Sequence, residues 1–333
     1  AGLLRGASAG AQSFRDAQLL VQVAMEHGSG SPRRPPVEEL YVSTVNTTED
    51  LMFWSVMVRT LSMQQLDLVV HLNVPTNSFL WSKRLPINRA LNAANVSAFM
   101  KAYTPEQVGM NSINSLWQQL TPFQYSAAEF KRVVFLGSDL VVLHRIVELV
   151  RRAEGDLTLA RDEGECKDVD EAVEVEKPST ALYSMIPDLK VESWLKSSGL
   201  ALMREVGAGS AMRFDGKNLA PLAFQMVHPK KKPDLYHGVE VVSASCLMHH
   251  KDEDYPDEFP QELSKVVLLG TEGKQLITEI LSHEGVAREK KLNGTLAGLE
   301  KAGKKMMAHV LRLWFDTFNS KEVQGIMGAL GSW

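Results

Sequence analysis

The residues of this chain that could do chemistry sit in short polar clusters just after apolar runs. The sharpest cluster is Phe135-Leu-Gly137-Ser138-Asp139-Leu-Val-Val-Leu143. A carboxylate set between two apolar stretches is costly to bury alone. Asp139 must therefore be exposed at a strand end, paired with a cation, or bound to a metal. Arg161-Asp162-Glu163-Gly164-Glu165 offers carboxylates that could hold a cation or sugar hydroxyls, or simply form a solvated acidic loop. Lys196-Ser197-Ser198-Gly199 opens an apolar run with small residues, which let a ligand approach the backbone. Arg213-Phe-Asp215-Gly216-Lys-Asn218 reads as a turn by its Asp-Gly pair. Cys246-Leu-Met-His249-His250 supplies imidazoles. In an extended segment adjacent side chains point to opposite sides, so at most one histidine could share a metal with Asp139. Thr44, Asn46, Thr47 and Thr48 precede an apolar-striped segment. Thr47 or Thr48 fits a helix N-cap there, with Glu49 and Asp50 suiting the positive end of the helix dipole.

These clusters need elements to position them. Strands are expected at 39–45, 66–72, 96–100, 131–136, 140–143, 157–160, 199–203 and 239–243. Helices are expected at 11–27, at the Phe53, Val56, Met57, Thr60, Leu61 stripe, at 76–91 with Pro86 interrupting, and at 105–120 and 145–153. Strands alternating with helices imply an α/β fold: a mixed, mainly parallel sheet covered by helices on both faces. Ligands of such sheets lie at the carboxyl ends of the strands. Residues 1–36 read as a helical extension, with the Pro/Gly-rich linker 28–36 ending it. The main domain then spans 37–260. From about Pro260 the chain reads as helical, giving a C-terminal helical segment over 261–333 that is rich in Lys and Met.

Composition is that of a globular protein: 333 residues, 44% hydrophobic and 23% charged. The net charge of −4 gives no global reason to bind nucleic acid or an anionic membrane. Two cysteines, Cys166 and Cys246, exclude a disulfide-rich scaffold. They leave one disulfide or two buried thiols, with two unpaired structural thiols as the expectation. The sequons at Asn46, Asn95 and Asn293 favour the secretory pathway or Golgi lumen over the cytoplasm. The chain opens on Ala1 rather than Met, so a membrane anchor is expected only if it was trimmed from the N-terminus.

Lys131 to Leu143, followed by His144-Arg-Ile-Val-Glu-Leu149, resembles the signature of the retaining family 8 glycosyltransferases, the glycogenin-like group of the GT-A fold. There an apolar strand runs into Asp-X-Asp, a second apolar run and a helix. Further pieces fall in the family's order over residues 41–257. Tyr41 to Thr47 with Val56 to Leu61 resembles the first strand and helix. Leu159-Ala-Arg-Asp162 resembles the strand whose Asp contacts the donor sugar. Ser197-Ser198-Gly199-Leu-Ala-Leu-Met203 resembles the Asn-(Ser/Ala)-Gly-Val strand, and Cys246-Leu-Met-His249 the late strand whose His completes the metal site.

The resemblance implies transfer of a hexose from a nucleotide-diphosphate sugar, a UDP-sugar, to an acceptor hydroxyl with retention. The acceptor would be a glycan, a protein or a small molecule. It implies Asp139 and His249 as ligands of Mn²⁺ or Mg²⁺, and Asp162 on the donor sugar. Asp215 or Asn218 would lie beneath the anomeric carbon. Thr44, Asn46, Thr47, Ser138, Ser197, Ser198 and Gly199 would line the nucleotide-sugar site. The chain departs from the pattern where Gly137 replaces the first Asp of Asp-X-Asp and Ser197 replaces an Asn. Asp254-Tyr255-Pro256 stands in place of a phosphate-gripping Lys-Pro-Trp. The metal site implied is therefore a weakened one. A non-catalytic scaffold on the same fold is the rival reading, and a GDP-mannose-type mannosyltransferase is a second.

Overall fold

The computed structural model describes residues 37–64, 69–94, 96, 98–103, 122, 125–143, 146, 155–162, 177–194, 219–249 and 264–331. The expected helices over 11–27, 105–120 and, apart from Ile146, 145–153, the linker 28–36 and the strand over 199–203 lie outside these residues. In chain order the elements are β1 (Val37–Thr44), α1 (Thr48–Gln64), β2 (Val70–Pro75), α2 (Phe79–Ser82), α3 (Arg84–Ala93), β3 (Ala98–Tyr103), β4 (Phe130–Leu136), β5 (Leu140–Val142), β6 (Leu157–Asp162), β7 (Lys177–Met185), α4 (Leu189–Trp194), α5 (Leu219–Val227), β8 (Asp234–Ser243), α6 (Ala244–His249), β9 (Ser264–Leu268), α7 (Gly270–Leu281), α8 (Gly285–Lys301), α9 (Lys305–Phe318) and α10 (Lys321–Gly328).

Among the described residues the strands form one nine-stranded sheet in the order β3-β2-β1-β4-β7-β6-β8-β9-β5. β1 runs parallel to β2 and β4, and β2 parallel to β3. β7 lies antiparallel between β4 and β6, while β6, β8 and β9 are parallel and β5 is antiparallel to β9. All strands but β5 and β7 therefore point one way. Both faces are covered, as a mainly parallel sheet requires. Successive strand residues serve opposite faces. Tyr41, Val134 and Leu136 join the core beneath α1, α3 and α9. Leu40, Val42, Val133 and Phe135 join the other core, with Tyr183, Val191 and Phe224. This is the α/β architecture expected from the sequence.

The sheet cannot be flat. Leu136 ends β4 and Leu140 begins β5, so the chain between them reaches at most ~14 Å. The five steps from β4 to β5 across a flat sheet would need ~24 Å. The sheet must curl until β9 and β5 lie close to the end of β4. β5 then meets α1, where the Val142 N–H donates to Thr60 Oγ1 at 3.4 Å.

Two expectations need correction. The stretch after Pro260 is not helical from its start, because β9 occupies Ser264–Leu268 and pairs with β8 and β5. Pro86 does not break the helix over 76–91. It is the third residue of α3, in the first turn, where its missing N–H has no partner to lose. The break falls at Lys83, between α2 and α3. The C-terminal helices pack into the core. Trp314 of α9 is fully buried, with its ring 5.6 Å from Phe53 of α1 and stacked 5.1 Å from Phe318. Residues 37–333 form one compact unit.

Candidate functional site

The co-directional strands deliver their carboxyl ends to one edge of the sheet: Thr44 from β1, Gly137 after β4, Asp162 from β6, Ser243 from β8 and Leu268 from β9. At the β1 end the Thr44 side chain is buried. Thr47 is the N-cap of α1, its Oγ1 accepting the Asp50 N–H at 3.0 Å. The Asp50 carboxylate accepts the N–H groups of Asn46 and Thr47, both at 3.1 Å. This is a reciprocal cap with Asp in place of the usual Glu, and it satisfies donors that would otherwise be orphaned. The capping expectation thus settles on Thr47, and Asn46 is held through its backbone.

After β4 the backbone turns sharply. The Gly137 N–H donates to Ala181 O of β7 at 2.8 Å, and the Leu269 N–H donates to Asp139 O at 3.0 Å. The second bond ties the turn to the start of α7. From α7, Lys274 reaches back, with Nζ 3.3 Å from Asp139 Oδ2. The pair is well covered, with side-chain exposures of 31% for Lys274 and 17% for Asp139. Lys274 Nζ also lies 5.8 Å from the centre of the Phe53 ring, a cation–π approach. Of the three fates open to Asp139, pairing with a cation is the one observed. A Cβ built on Gly137 would meet Ala181 O at 3.4 Å and Asp139 Oδ1 at 3.5 Å, which is room for a side chain.

His249 ends a helix, not a strand. Serine and alanine at 243–245 turn β8 directly into α6, so the expected extended geometry for His249 does not hold. Its side chain is 64% exposed and pairs with Glu272 of α7, Nε2 to Oε2 at 3.2 Å. The two expected metal ligands therefore engage two different residues of α7. Cys246, on the buried side of α6, is disulfide-bonded rather than a free thiol. Asp162 closes β6 in register with Lys177 of β7 and Val241 of β8. Ser138 lies in the turn after β4, half-buried. Ser197, Ser198, Gly199, Asp215 and Asn218 lie outside the described residues.

Sequence reasoning missed Lys274, and it also missed a buried polar group near the β2 end. His71 Nδ1 lies 3.0 Å from the Tyr125 hydroxyl, which donates to Asn73 Oδ1 at 3.4 Å. Lys101 Nζ stands 4.3 Å from the Tyr125 ring centre. Burial, reinforced by the Lys101 charge, lowers the His71 pKa to about 3, so the imidazole is neutral at physiological pH. Burial drives the Tyr125 hydroxyl far above its usual range, so it stays a neutral donor. The Val45 N–H donates to Asn73 O at 3.0 Å, which links this group to the loop before α1.

Among the described residues, no group of three or more His, Cys, Asp and Glu side chains could hold a metal ion. With Asp139 on Lys274, His249 on Glu272 and no side chain at Gly137, these residues do not fit Mn²⁺ or Mg²⁺ as they stand.

No family profile matches the chain by sequence, and no curated protein does. Among solved structures it is similar to the galactosyltransferase LgtC in complex with donor and acceptor sugar analogs. That match has a TM-score of 0.46 and 12% identity over 76% of this chain and 99% of LgtC. It is similar to the apo form of the glycosyltransferase GlyE of Streptococcus pneumoniae TIGR4, with a TM-score of 0.45 and 11% identity over 84% of this chain and 63% of GlyE. A third match is the bifunctional glycosyltransferase WbbM, with a TM-score of 0.34 and 15% identity over 54% and 36% of the two chains.

Proposed function

We propose that this chain is a glycosyltransferase of the GT-A type. It transfers a hexose from a nucleotide-diphosphate sugar, a UDP-sugar, to an acceptor hydroxyl with retention. The observation that carries the reading is the placing of the Gly137-Ser138-Asp139 turn. It ends β4 at the shared carboxyl edge, between the β1 end with Thr44 to Thr47 and the β6 end with Asp162. That is the order the sequence resemblance implies for base, diphosphate and donor sugar, at the edge where open α/β sheets bind ligands. In this reading Thr44, Asn46 and Thr47 flank the base, Ser138, Ser197, Ser198 and Gly199 line the donor, and Asp162 meets its sugar. Asp215 or Asn218 faces the anomeric carbon. Gly137 favours a second reading, a nucleotide-sugar-binding protein that no longer transfers.

A thermal-shift series with UDP, GDP and ADP tests the donor class. A nucleotide at 100 times its Kd stabilises by ~2.7 kcal/mol. UDP should shift the melting temperature more than GDP does. A larger shift with GDP would point to a GDP-sugar donor, and no shift with any nucleotide would overturn the reading. Release of UDP from a UDP-hexose then separates the enzyme from the binding protein. For location we propose an oxidising, secretory lumen. The disulfide at Cys246 supports it, as does the sequon at Asn293, which is exposed on α8.

A further inference from the structure

We infer that the cation at the end of β4 is the Lys274 ammonium rather than a divalent metal, and that this chain holds a nucleoside diphosphate without a metal ion. The inference rests on the donor reading above. Asp139 is the one carboxylate in the turn after β4, and a lone carboxylate there would repel a diphosphate. Lys274 already neutralises it, at 3.3 Å, from the first turns of α7. The curl of the sheet brings α7 to this turn, and the Leu269 N–H to Asp139 O bond fixes its start. The position is therefore set by the backbone as well as by charge.

An ammonium carries three donors, and Asp139 takes one of them. With a side-chain exposure of 31%, the Lys274 head keeps a face toward solvent at the strand-end edge, where its remaining donors can meet phosphate oxygens. The Phe53 ring, 5.8 Å away, restrains its swing. On this account Asp139 is a positioning residue: it holds Lys274 and ligates nothing else. The missing carboxylate at Gly137 then has a reason, because a second acid would compete with the diphosphate for a single positive charge. His249 belongs to a separate pair with Glu272 and is not needed.

Isothermal titration of UDP into the full chain, in EDTA and again in Mn²⁺, tests this with three variants. The natural chain should bind UDP with Kd values within about threefold in the two buffers. Lys274→Gln should weaken binding in EDTA by about tenfold or more, the usual worth of a charge-assisted hydrogen bond. Lys274→Arg keeps a cation and should recover most of that loss, which a merely structural role for the amine would not predict. Asp139→Asn should cost far less than Lys274→Gln in EDTA, because it removes a negative charge beside the diphosphate. If instead the natural chain binds UDP only with Mn²⁺, and Asp139→Asn abolishes that binding, the inference is wrong while the donor reading stands. If neither the natural chain nor any variant binds UDP in either buffer, the donor reading falls and takes the inference with it. Melting curves of each variant keep misfolding apart from lost binding.

Discussion

Replacing Gly137 by Asp tests the geometry of the turn most directly, because it restores the carboxylate that the resembled motif carries. The backbone permits it. Gly137 is not among the glycines with positive φ, and a Cβ there meets nothing closer than Ala181 O at 3.4 Å. The cost is electrostatic. That Cβ would lie 3.5 Å from Asp139 Oδ1, so the two carboxylates would sit ~5 Å apart. At an effective dielectric of ~20 the repulsion is ~3 kcal/mol. Rotation of the new side chain toward solvent and sharing of Lys274 reduce this, and we expect Gly137→Asp to lose ~1–2 kcal/mol in EDTA. Two carboxylates at that spacing also make a site for a hard divalent cation. Mn²⁺ at 10 to 100 times its Kd would return ~1.4–2.7 kcal/mol. Chemical denaturation of both proteins, in EDTA and in Mn²⁺, reads both effects. The natural chain should be indifferent to Mn²⁺, whereas the variant should be weaker without it and rescued by it. Equal stability of the two proteins in EDTA would mean that positions 137 and 139 do not share a space. A loss that Mn²⁺ fails to restore would mean that their carboxylates do not converge.

The remaining predictions concern what holds that edge in place. Trp314→Ala should cost ~3–5 kcal/mol and lower a single cooperative transition, seen alike by circular dichroism and by tryptophan fluorescence. Two separate transitions would show that the C-terminal helices fold apart from the sheet. Thr47→Ala should cost ~1 kcal/mol by urea denaturation while Thr47→Ser stays close to the natural chain, since only the hydroxyl caps α1. His71 makes stability pH-dependent in a definite direction. Above pH ~6.5 the imidazole is neutral in both states, and below it the unfolded chain takes up a proton that the folded chain refuses down to about pH 3. Stability should fall through that window by up to ~1.4 kcal/mol per pH unit, and His71→Asn should remove about one proton from the slope. An unchanged slope would place the acid sensitivity elsewhere. At the far face, Asp188 caps α4 through the Lys190 N–H at 2.7 Å and holds His228 of the α5 end at 2.7 Å. The Asp188 carboxyl is partly buried, which alone would raise its pKa, but those bonds lower it on balance. Asp188→Ala should cost ~1 kcal/mol, and this deficit should shrink in acid as the natural carboxylate protonates.

Much of the sheet was legible because strands such as β1 and β4 send apolar residues to both faces, and few other structures bury such a run. β7 was not legible. Lys177-Pro-Ser-Thr-Ala-Leu-Tyr-Ser-Met alternates too little apolar character to read as a strand, and its Ser184 is tied to distant partners. Ser184 receives Arg132 Nη1 of β4 at 3.0 Å and also bonds the Tyr236 hydroxyl of β8. β9 failed for another reason. Its apolar run is short and passes straight into Gly270 and α7, and a run of that length does not separate strand from helix by periodicity. The start of α1 succeeded because a cap is local: Thr47 and Asp50 answer each other within one turn.

The site shows the same division between local and distant. The turn after β4 was found because an acid between apolar runs is conspicuous in one dimension. What the acid does was not found, because the answer is Lys274, far along the chain. That lysine is the one cation of a helix that otherwise looks like ordinary covering. Only the curl of the sheet forces the two together, and the curl follows from a three-residue turn having to join β4 to a strand five places away. The consequence reaches the chemistry. A reading of motif letters sees an Asp-X-Asp that has lost half its carboxylates and expects a weakened metal site. The folded chain pairs the surviving Asp with a lysine from a helix that the letters did not connect to it. If the lost carboxylate and the arriving ammonium are one change rather than two, Gly137→Asp and Lys274→Gln should compensate in part. In Mn²⁺ the double variant should then bind UDP better than Lys274→Gln alone. Strictly additive losses would mean that the two positions work independently.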